Sequence, residues 1–269
     1  MVSVQSPRAL RTFPSLIAVF LLGLPVYAKY SGGTGEPNDP YEIATAADLI
    51  ALGETPADYD KHFILTADID LDPNLPGRKV FDKAVMAPDT DPVPDAWGRQ
   101  LYDGSPFTGV FDGKGHTISH LTIRGVGYLG LFGQLGQWNA AGEIRDLGVV
   151  DASITGSGEY VGEMVGYIWH GTVTQCHSTG VVRGTLRVGG LAGYNYPGTV
   201  IRCWSTSTVS GNMYIGGLVG QNRAGVVTQC YSAGRVSADG DYAGGLIGIN
   251  NGYDGAVTMC YSTSAVISV

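Results

Sequence analysis

Four cysteines recur at almost constant spacing in the C-terminal part of the chain. They are separated by 27, 27 and 30 residues, at Cys176, Cys203, Cys230 and Cys260. Thiols can bind zinc or form disulfides, but the sequence contains no Cys-x-x-Cys pair. If the cysteines occupy one position in successive stacked coils, their Cβ atoms lie about one strand spacing apart, wider than the ~3.8 Å that a disulfide needs. Leu147 precedes them at a similar interval, so we predict a column of buried free thiols.

Acidic and histidine side chains occur at spacings that could bind a cation. Asp68, Asp70 and Asp72 alternate like the ligands of a calcium loop, but the glycine of such a loop is missing. His116 and His120 lie four residues apart without a third ligand nearby. We predict a solvated strand face for the aspartates, surface positions for the histidines, and neither a metal nor another cofactor.

One acidic residue, Glu163, stands in a column that otherwise holds glycine. Glycoside hydrolysis usually requires two carboxyl groups about 5–9 Å apart, and no carboxylate occupies a matching position in the other repeats. Glu159 is close in the sequence, but the sequence does not fix its geometry relative to Glu163. The sequence therefore predicts no catalytic residue and a surface position for Glu163.

Aromatic side chains follow the cysteines and form a second regular set. Its members are His177, Trp204, Tyr231 and Tyr261. Because successive side chains of a strand point to opposite faces, a buried cysteine directs the next side chain to the solvent. Trp169, Tyr196 and Tyr253 follow the glycine runs and could form a second ridge.

These aromatic rings could stack on the apolar faces of sugar rings. The predicted binding residues are Trp204, Tyr231, Tyr261, Trp169 and Tyr196. The alternative is that the rings only cover neighbouring coils, since cross-strand aromatic pairs stabilise one another.

The positions of all these side chains depend on a repeat that covers Val161–Val269. Its four copies open with similar runs of small residues, at 161–166, 188–193, 215–220 and 243–248. Similarity at a fixed period indicates stacked supersecondary units, and Val, Ile, Thr and Tyr punctuated by Gly and Asn favour short strands and turns. Weaker copies near Ile118 and Ile144 raise the count to about six coils.

We therefore predict an all-β fold, a right-handed parallel β-helix (solenoid) of about six coils with a short N-terminal capping helix. The repeats fall at about 160–186, 187–213, 214–241 and 242–269. A valine three residues before each cysteine and another six residues after it should form interior columns. Asn195, Asn222 and Asn250 align after the glycine runs and should stack in turns, where they satisfy backbone groups.

The N-terminal part precedes the β-helix, which we place at 107–269. Residues 1–28 have a basic start, a short apolar core and a Val26-Tyr27-Ala28 end, as in a secretory signal peptide. The apolar run is too short to predict a stable membrane span. Residues 29–106 should hold the cap: a helix over Ala46–Gly53 with Thr45 as N-cap, a half-buried strand over Lys61–Asp72, and a long Pro- and Asp-rich loop.

Composition excludes one class of partner. The formal charge is −8. Such a chain does not suit phosphate backbones, so nucleic acid is not predicted as a partner. The acidic balance and the signal-like segment fit a secreted or cell-surface protein.

The run Gly217-Leu218-Val219-Gly220, followed by Cys230-Tyr231-Ser232, resembles the GLUG motif. That motif occurs in repeats of bacterial secreted and surface proteins, and beside the immunoglobulin A-specific zinc metallopeptidases of streptococci. The resemblance covers most of 33–269 and implies extracellular β-helical modules for adhesion or substrate contact, without agreed catalytic residues. Glu163 in place of glycine and His177 after the first cysteine depart from the pattern. No His-Glu-x-x-His is present, so the resemblance implies no peptidase activity.

Three functional hypotheses remain. The leading one is a non-catalytic exported module for surface adhesion, polysaccharide or host-glycan binding, or scaffolding. The second is a pectin-lyase-like polysaccharide-active enzyme (lyase or glycosidase), because β-helices host such enzymes; its nearest signal is the set Arg183, Arg187 and Arg202. The third is that the chain is the N-terminal part of a larger surface protein, because Val269 lies in a strand-like run without a cap.

Overall fold

The glycine-punctuated repeats form short strands that stack in parallel along one axis. The computed structural model describes residues 1–2, 29–91, 93 and 100–268. The predicted signal peptide lies almost wholly outside the described residues. Within those residues, no helix has the length and apolar character required to cross a membrane.

The described residues contain one α-helix, α1 (Ala46–Gly53), and a short 3-10 helix, Pro56–Asp58. The first strands are β1 (Tyr41–Ile43), β2 (His62–Leu65), β3 (Ile69–Asp70), β4 (Val110–Asp112), β5 (Thr117–Ser119), β6 (Thr122–Gly125), β7 (Phe132–Leu135), β8 (Glu143–Arg145) and β9 (Gly148–Gly156). The next are β10 (Glu159–Val161), β11 (Val165–Ile168), β12 (Thr172–Thr174), β13 (His177–Arg183), β14 (Leu186–Gly189), β15 (Ala192–Asn195), β16 (Thr199–Ile201), β17 (Trp204–Ser205), β18 (Thr208–Gly211) and β19 (Met213–Gly216). The last are β20 (Val219–Arg223), β21 (Val226–Thr228), β22 (Tyr231–Ser232), β23 (Arg235–Ala238), β24 (Ala243–Gly244), β25 (Ile247–Asn251), β26 (Ala256–Thr258), β27 (Tyr261–Ser262) and β28 (Ala265–Ser268).

The strands assemble into sheets that run along the axis, which we number 1 to 4. Sheet 1 holds β1, β2, β4, β8, β12, β16, β21 and β26. Sheet 2 holds β3, β5, β6, β9, β13, β17, β18, β22, β23, β27 and β28. Sheet 3 holds β10, β14, β19 and β24, and sheet 4 holds β7, β11, β15, β20 and β25. From β8 to β25 the chain passes repeatedly through sheets 1, 2, 3 and 4 in that order, which confirms the parallel β-helix.

Equivalent residues of successive turns pair directly, as the spacing predicts. Val200 pairs with Val173 on one side and with Val227 on the other, and all three are fully buried. The β-helix has about five turns rather than the predicted six. The last turn, which begins after residue 255, is incomplete because it supplies strands to sheets 1 and 2 only.

The cysteines lie side by side along one line of the interior. Cys176, Cys203 and Cys230 are 1% exposed, and all four cysteines are free thiols. The backbone N–H of each of the first three points to the Sγ of the next, at 3.4 Å. Leu147, also 1% exposed, occupies the preceding position. The predicted column of buried thiols is confirmed for these three cysteines, whereas Cys260, at the end of the column, is only partly buried.

The asparagines form the predicted ladder. Asn195 Nδ2 donates to Asn222 Oδ1, and Asn222 Nδ2 donates to Asn250 Oδ1, each at 2.7 Å. Asn195 and Asn222 also donate to the carbonyls of Gly198 and Gly225 in their own turns, at 3.2 and 2.9 Å. The amide groups thereby bond to one another and to the turns that hold them, and only Asn195 Oδ1, at the start of the ladder, lacks a partner among the described residues.

The cap agrees with its sequence signals except in one strand. Thr45 and Asp48 form a capping box at the start of α1, whose Leu49 and Leu52 are fully buried. The predicted continuous strand over Lys61–Asp72 is wrong, because the chain turns a corner there and divides into β2 of sheet 1 and β3 of sheet 2. Inward side chains alternate on both sides of that corner, so the pattern alone resembles one strand.

The predicted surface position of Glu163 is also wrong. Its side chain is fully buried, and its Oε2 accepts a hydrogen bond of 2.8 Å from Ser207 Oγ. Its Oε1 has no hydrogen-bond partner among the described residues. This column faces the interior, because a Cβ atom at Gly190, the equivalent position of the next turn, would meet the buried Ser205. Burial raises the pKa of Glu163 from 4.5 to about 8.

Replacing Asn222 with alanine should lower the free energy of unfolding by about 2–4 kcal/mol, because it removes three buried hydrogen bonds and leaves partners unsatisfied. Chemical denaturation measures this effect. Asn250→Ala is the matched control, since Asn250 is exposed at the end of the ladder. It should cost about 1 kcal/mol. Equal losses in the two variants would contradict the ladder's role.

Glu163→Gln should remove a pH-dependent destabilisation. Between pH 4.5 and about 8 the unfolded chain releases this proton while the folded chain keeps it, so rising pH lowers the free energy of unfolding. The slope for one group is at most about 1.4 kcal/mol per pH unit. The stability advantage of Glu163→Gln over the native chain should therefore grow as pH rises from 4.5 to 8, measured by urea unfolding. Parallel pH profiles for the two proteins would refute the assignment.

Candidate functional site

The aromatic residues that follow the cysteines form a continuous stack on the outer side of sheet 2. We call this set the aromatic ladder: His177, Trp204, Tyr231 and Tyr261. Successive ring centroids are 4.5, 5.7 and 5.2 Å apart, and the ring planes lie within 9°, 9° and 6° of parallel. These distances correspond to offset stacking, which leaves part of each ring uncovered.

Strand alternation places the ladder at the surface. In each turn the cysteine points inward, the ring points outward, and the following serine points inward again: Ser178, Ser205 and Ser232 are fully buried. The first three ladder rings are half-buried, whereas Tyr261 is 59% exposed. Burial lowers the pKa of His177, so its imidazole is neutral at neutral pH.

Two other predicted binding residues lie elsewhere. Trp169 and Tyr196 directly follow strands of sheet 4 and stack within their own turns, on Tyr167 and Tyr194 at 6.2 and 6.0 Å. Tyr196 also lines an open cleft of about 540 Å³ with the exposed Tyr253. The sequence thus predicted five binding residues, of which the structure brings Trp204, Tyr231 and Tyr261 together.

A cluster of tyrosines surrounds Arg187 and was not predicted from the sequence. The guanidinium carbon of Arg187 lies 5.1 Å from the Tyr160 ring centroid and 5.5 Å from those of Tyr194 and Tyr214. Its Nη1 donates to Glu159, and its Nε donates to Gln221 Oε1 at 2.6 Å. The signal was present in the sequence, because an aromatic or arginine residue stands one position before the first residue of each glycine run.

The aspartates and histidines that resembled ligands pair with each other instead. His116 Nδ1 lies 3.2 Å from Asp68 Oδ1, and His120 Nδ1 lies 2.8 Å from Asp70 Oδ1. The pair with Asp70 raises the pKa of His120, and backbone N–H groups are the main cause that lowers the pKa of both aspartates. The described residues contain no group of three His, Cys, Asp or Glu side chains arranged to hold a metal.

The residues considered for catalysis do not converge. Glu163 is enclosed in the core and cannot touch a polymer outside. Arg187 is held in the tyrosine cluster, and Arg202 Nη1 reaches Gln175 Oε1 at 3.5 Å on the corner between sheets 1 and 2. Arg183 is exposed at the end of β13.

Comparisons with known proteins agree with this architecture. The chain is 37% identical over 172 residues to halomucin of Haloquadratum walsbyi; the match covers 62% of this chain and 2% of that relative's length. A crystal structure described as a “putative immunoglobulin A1 protease” from Bacteroides ovatus superimposes with a TM-score of 0.62 at 22% identity, covering 90% of this chain and 71% of the other. That likeness shows the fold alone.

One repeat also matches a family model. Residues 211–237 match the GLUG motif, and they include β19 to β22 and the third cysteine of the column. The closest copy predicted from the sequence, from Gly217 to Ser232, lies inside this match. The chain therefore carries a GLUG motif within a parallel β-helix.

Proposed function

We propose that this chain is an extracytoplasmic β-helical module that contacts glycans at a surface without catalysing a reaction. The observation that carries the proposal is the aromatic ladder, whose four parallel rings line the outside of sheet 2. Sugar rings offer apolar C–H faces, and aromatic side chains supply large contact areas of matching character.

Stacking prepares the ladder for binding. Each inner ring is held between its neighbours, so it has little rotamer freedom left to lose when a ligand binds. The offset leaves the outer part of each ring accessible, and Tyr261 adds a more exposed ring at the end of the ladder. A glycan chain lying along the β-helix axis could contact successive rings.

Three observations support an extracytoplasmic location. Residues 1–28 have the sequence pattern of a secretory signal. The chain is similar to a protein named halomucin, of which it spans 2%. The thiols suit an oxidising environment, because burial raises the pKa of Cys203 and Cys260, and thiolate is the reactive form.

The other two hypotheses have less support. A polysaccharide-active enzyme needs acidic groups that reach the polymer, and Glu163, whose pKa is raised to about 8, is fully buried. The small share of halomucin that the match covers supports the proposal that the chain is one part of a larger surface protein.

Trp204→Ala and Tyr231→Ala should each weaken binding to any glycan recognised by the native chain by about tenfold, equivalent to ~1.4 kcal/mol, because each removes an inner ring of the ladder. A glycan array identifies the ligand, and titration calorimetry measures the affinities. Circular dichroism and thermal melting verify that each variant is folded.

Trp138→Ala is the matched control, since Trp138 is 71% exposed and contacts His170 rather than the ladder. It should bind as the native chain does. Unchanged affinity in both folded ladder variants would show that the rings only stabilise the coils. Failure of the native chain to bind any glycan would contradict the proposed function itself.

A further inference from the structure

Sheet 2 carries a second surface feature, in the first turns of the β-helix. An open groove of about 750 Å³ lies where β6, β9 and β13 end. We call it the arginine groove; its lining includes Arg124, Val126, Ser153, Thr155, Ser157 and Arg183. Two guanidinium groups, several hydroxyls and one partly exposed valine therefore share one surface.

Strand register fixes the spacing of the arginines. Thr155 pairs with Arg124 on one side and with Arg183 on the other. The three residues are exposed and stand in one column along the axis. Since adjacent strands lie ~4.8 Å apart, the two arginine backbones are about 10 Å apart, close to the length of a disaccharide unit.

The two arginines form no ion pair with another described residue. Among the described residues, no carboxylate lies within 4.0 Å of either guanidinium, whereas Arg145 and Arg187 each have such a partner. Phe81 pairs with Ile123 in the preceding turn, so Asp82 stands beside Arg124, and Asp151, on β9, stands two positions before Ser153. The two arginines outnumber Asp82 at this surface, so a chain with formal charge −8 has a local positive patch here, which favours an anionic ligand.

We infer that the arginine groove binds an acidic polysaccharide, with Arg124 and Arg183 each pairing with a carboxylate of the polymer. A planar guanidinium can donate two parallel hydrogen bonds to a carboxylate. The hydroxyls of Ser153, Thr155 and Ser157 are available to sugar hydroxyls, and Val126 supplies an apolar contact. The inference rests on the proposed function for the class of ligand and adds that the glycan is anionic.

A pair of polymers tests the charge. Polygalacturonate and its methyl ester share one backbone, and esterification removes the negative charges. The full chain should bind polygalacturonate at least tenfold more tightly than the ester, and more weakly as salt rises. Arg124→Ala combined with Arg183→Ala should abolish this preference, as measured by titration calorimetry on folded protein.

Arg202→Ala is the matched control, because it removes an exposed arginine outside the groove. It should retain the preference for the charged polymer. Free galacturonate is a third probe, and it should bind far more weakly than the polymer if two arginines engage one chain.

The outcomes separate this inference from the proposed function. If the native chain binds a neutral glycan that depends on Trp204 but shows no preference for polygalacturonate, the arginine groove is not a glycan site and the ladder remains one. If the double arginine variant keeps full affinity for polygalacturonate, or galacturonate binds as tightly as the polymer, the inference is overturned. If neither a neutral nor an anionic glycan binds, both proposals are contradicted.

Discussion

Each turn of this protein lies one strand spacing above the last, and this interval governs the remaining structure. Because backbone hydrogen bonds hold successive turns in register, each side chain meets its equivalent from the neighbouring turns. A residue type whose side chains interact favourably with each other at that distance can therefore recur in successive turns. A residue type whose side chains repel each other there must be replaced by another. Valine, cysteine, asparagine and the aromatic rings all satisfy the condition, each through a different interaction. Dispersion stabilises the valines, amide hydrogen bonds join the asparagines, and offset stacking joins the rings.

The inner and outer columns depend on one another through the corner between sheets 1 and 2. The residue before the leucine or cysteine of each turn has a positive φ, between 49° and 54°, at Asp146, Gln175, Arg202, Gln229 and Met259. Such backbone costs roughly 1–2 kcal/mol for a residue other than glycine, so the stacked turns must hold it in place. The corner turns the cysteine inward, and strand alternation then directs the ring outward. The buried thiols and the exposed ladder are consequences of the same corner.

Glu163 is an exception to the repetition of equivalent residues, because it replaces the glycine found in the other repeats. A glycine column inside the β-helix leaves a narrow space along the axis, and a longer side chain can enter it if polar groups line the far end. Ser207, two turns away, provides that contact. The carboxyl group remains neutral at moderate pH because burial disfavours its charge. A side chain that resembles a catalytic acid in its pKa is thereby separated from every external substrate.

The stacking of equivalent residues could be predicted from the sequence, because a period of about 27 residues identifies which residues are neighbours along the axis. The sequence also determined the inward cysteines, the outward rings and the asparagine ladder, since these follow from period and alternation alone. The positions of the corners between sheets could not be predicted from the sequence. One of these corners divides the strand predicted over Lys61–Asp72 into two. The tertiary structure likewise decided that Glu163 points into the core, and that Arg124 and Arg183 share a groove, although they lie 59 residues apart in the sequence. A periodic pattern specifies neighbours along the axis, but the cross-section of each turn depends on corner geometry and on the space left by other side chains.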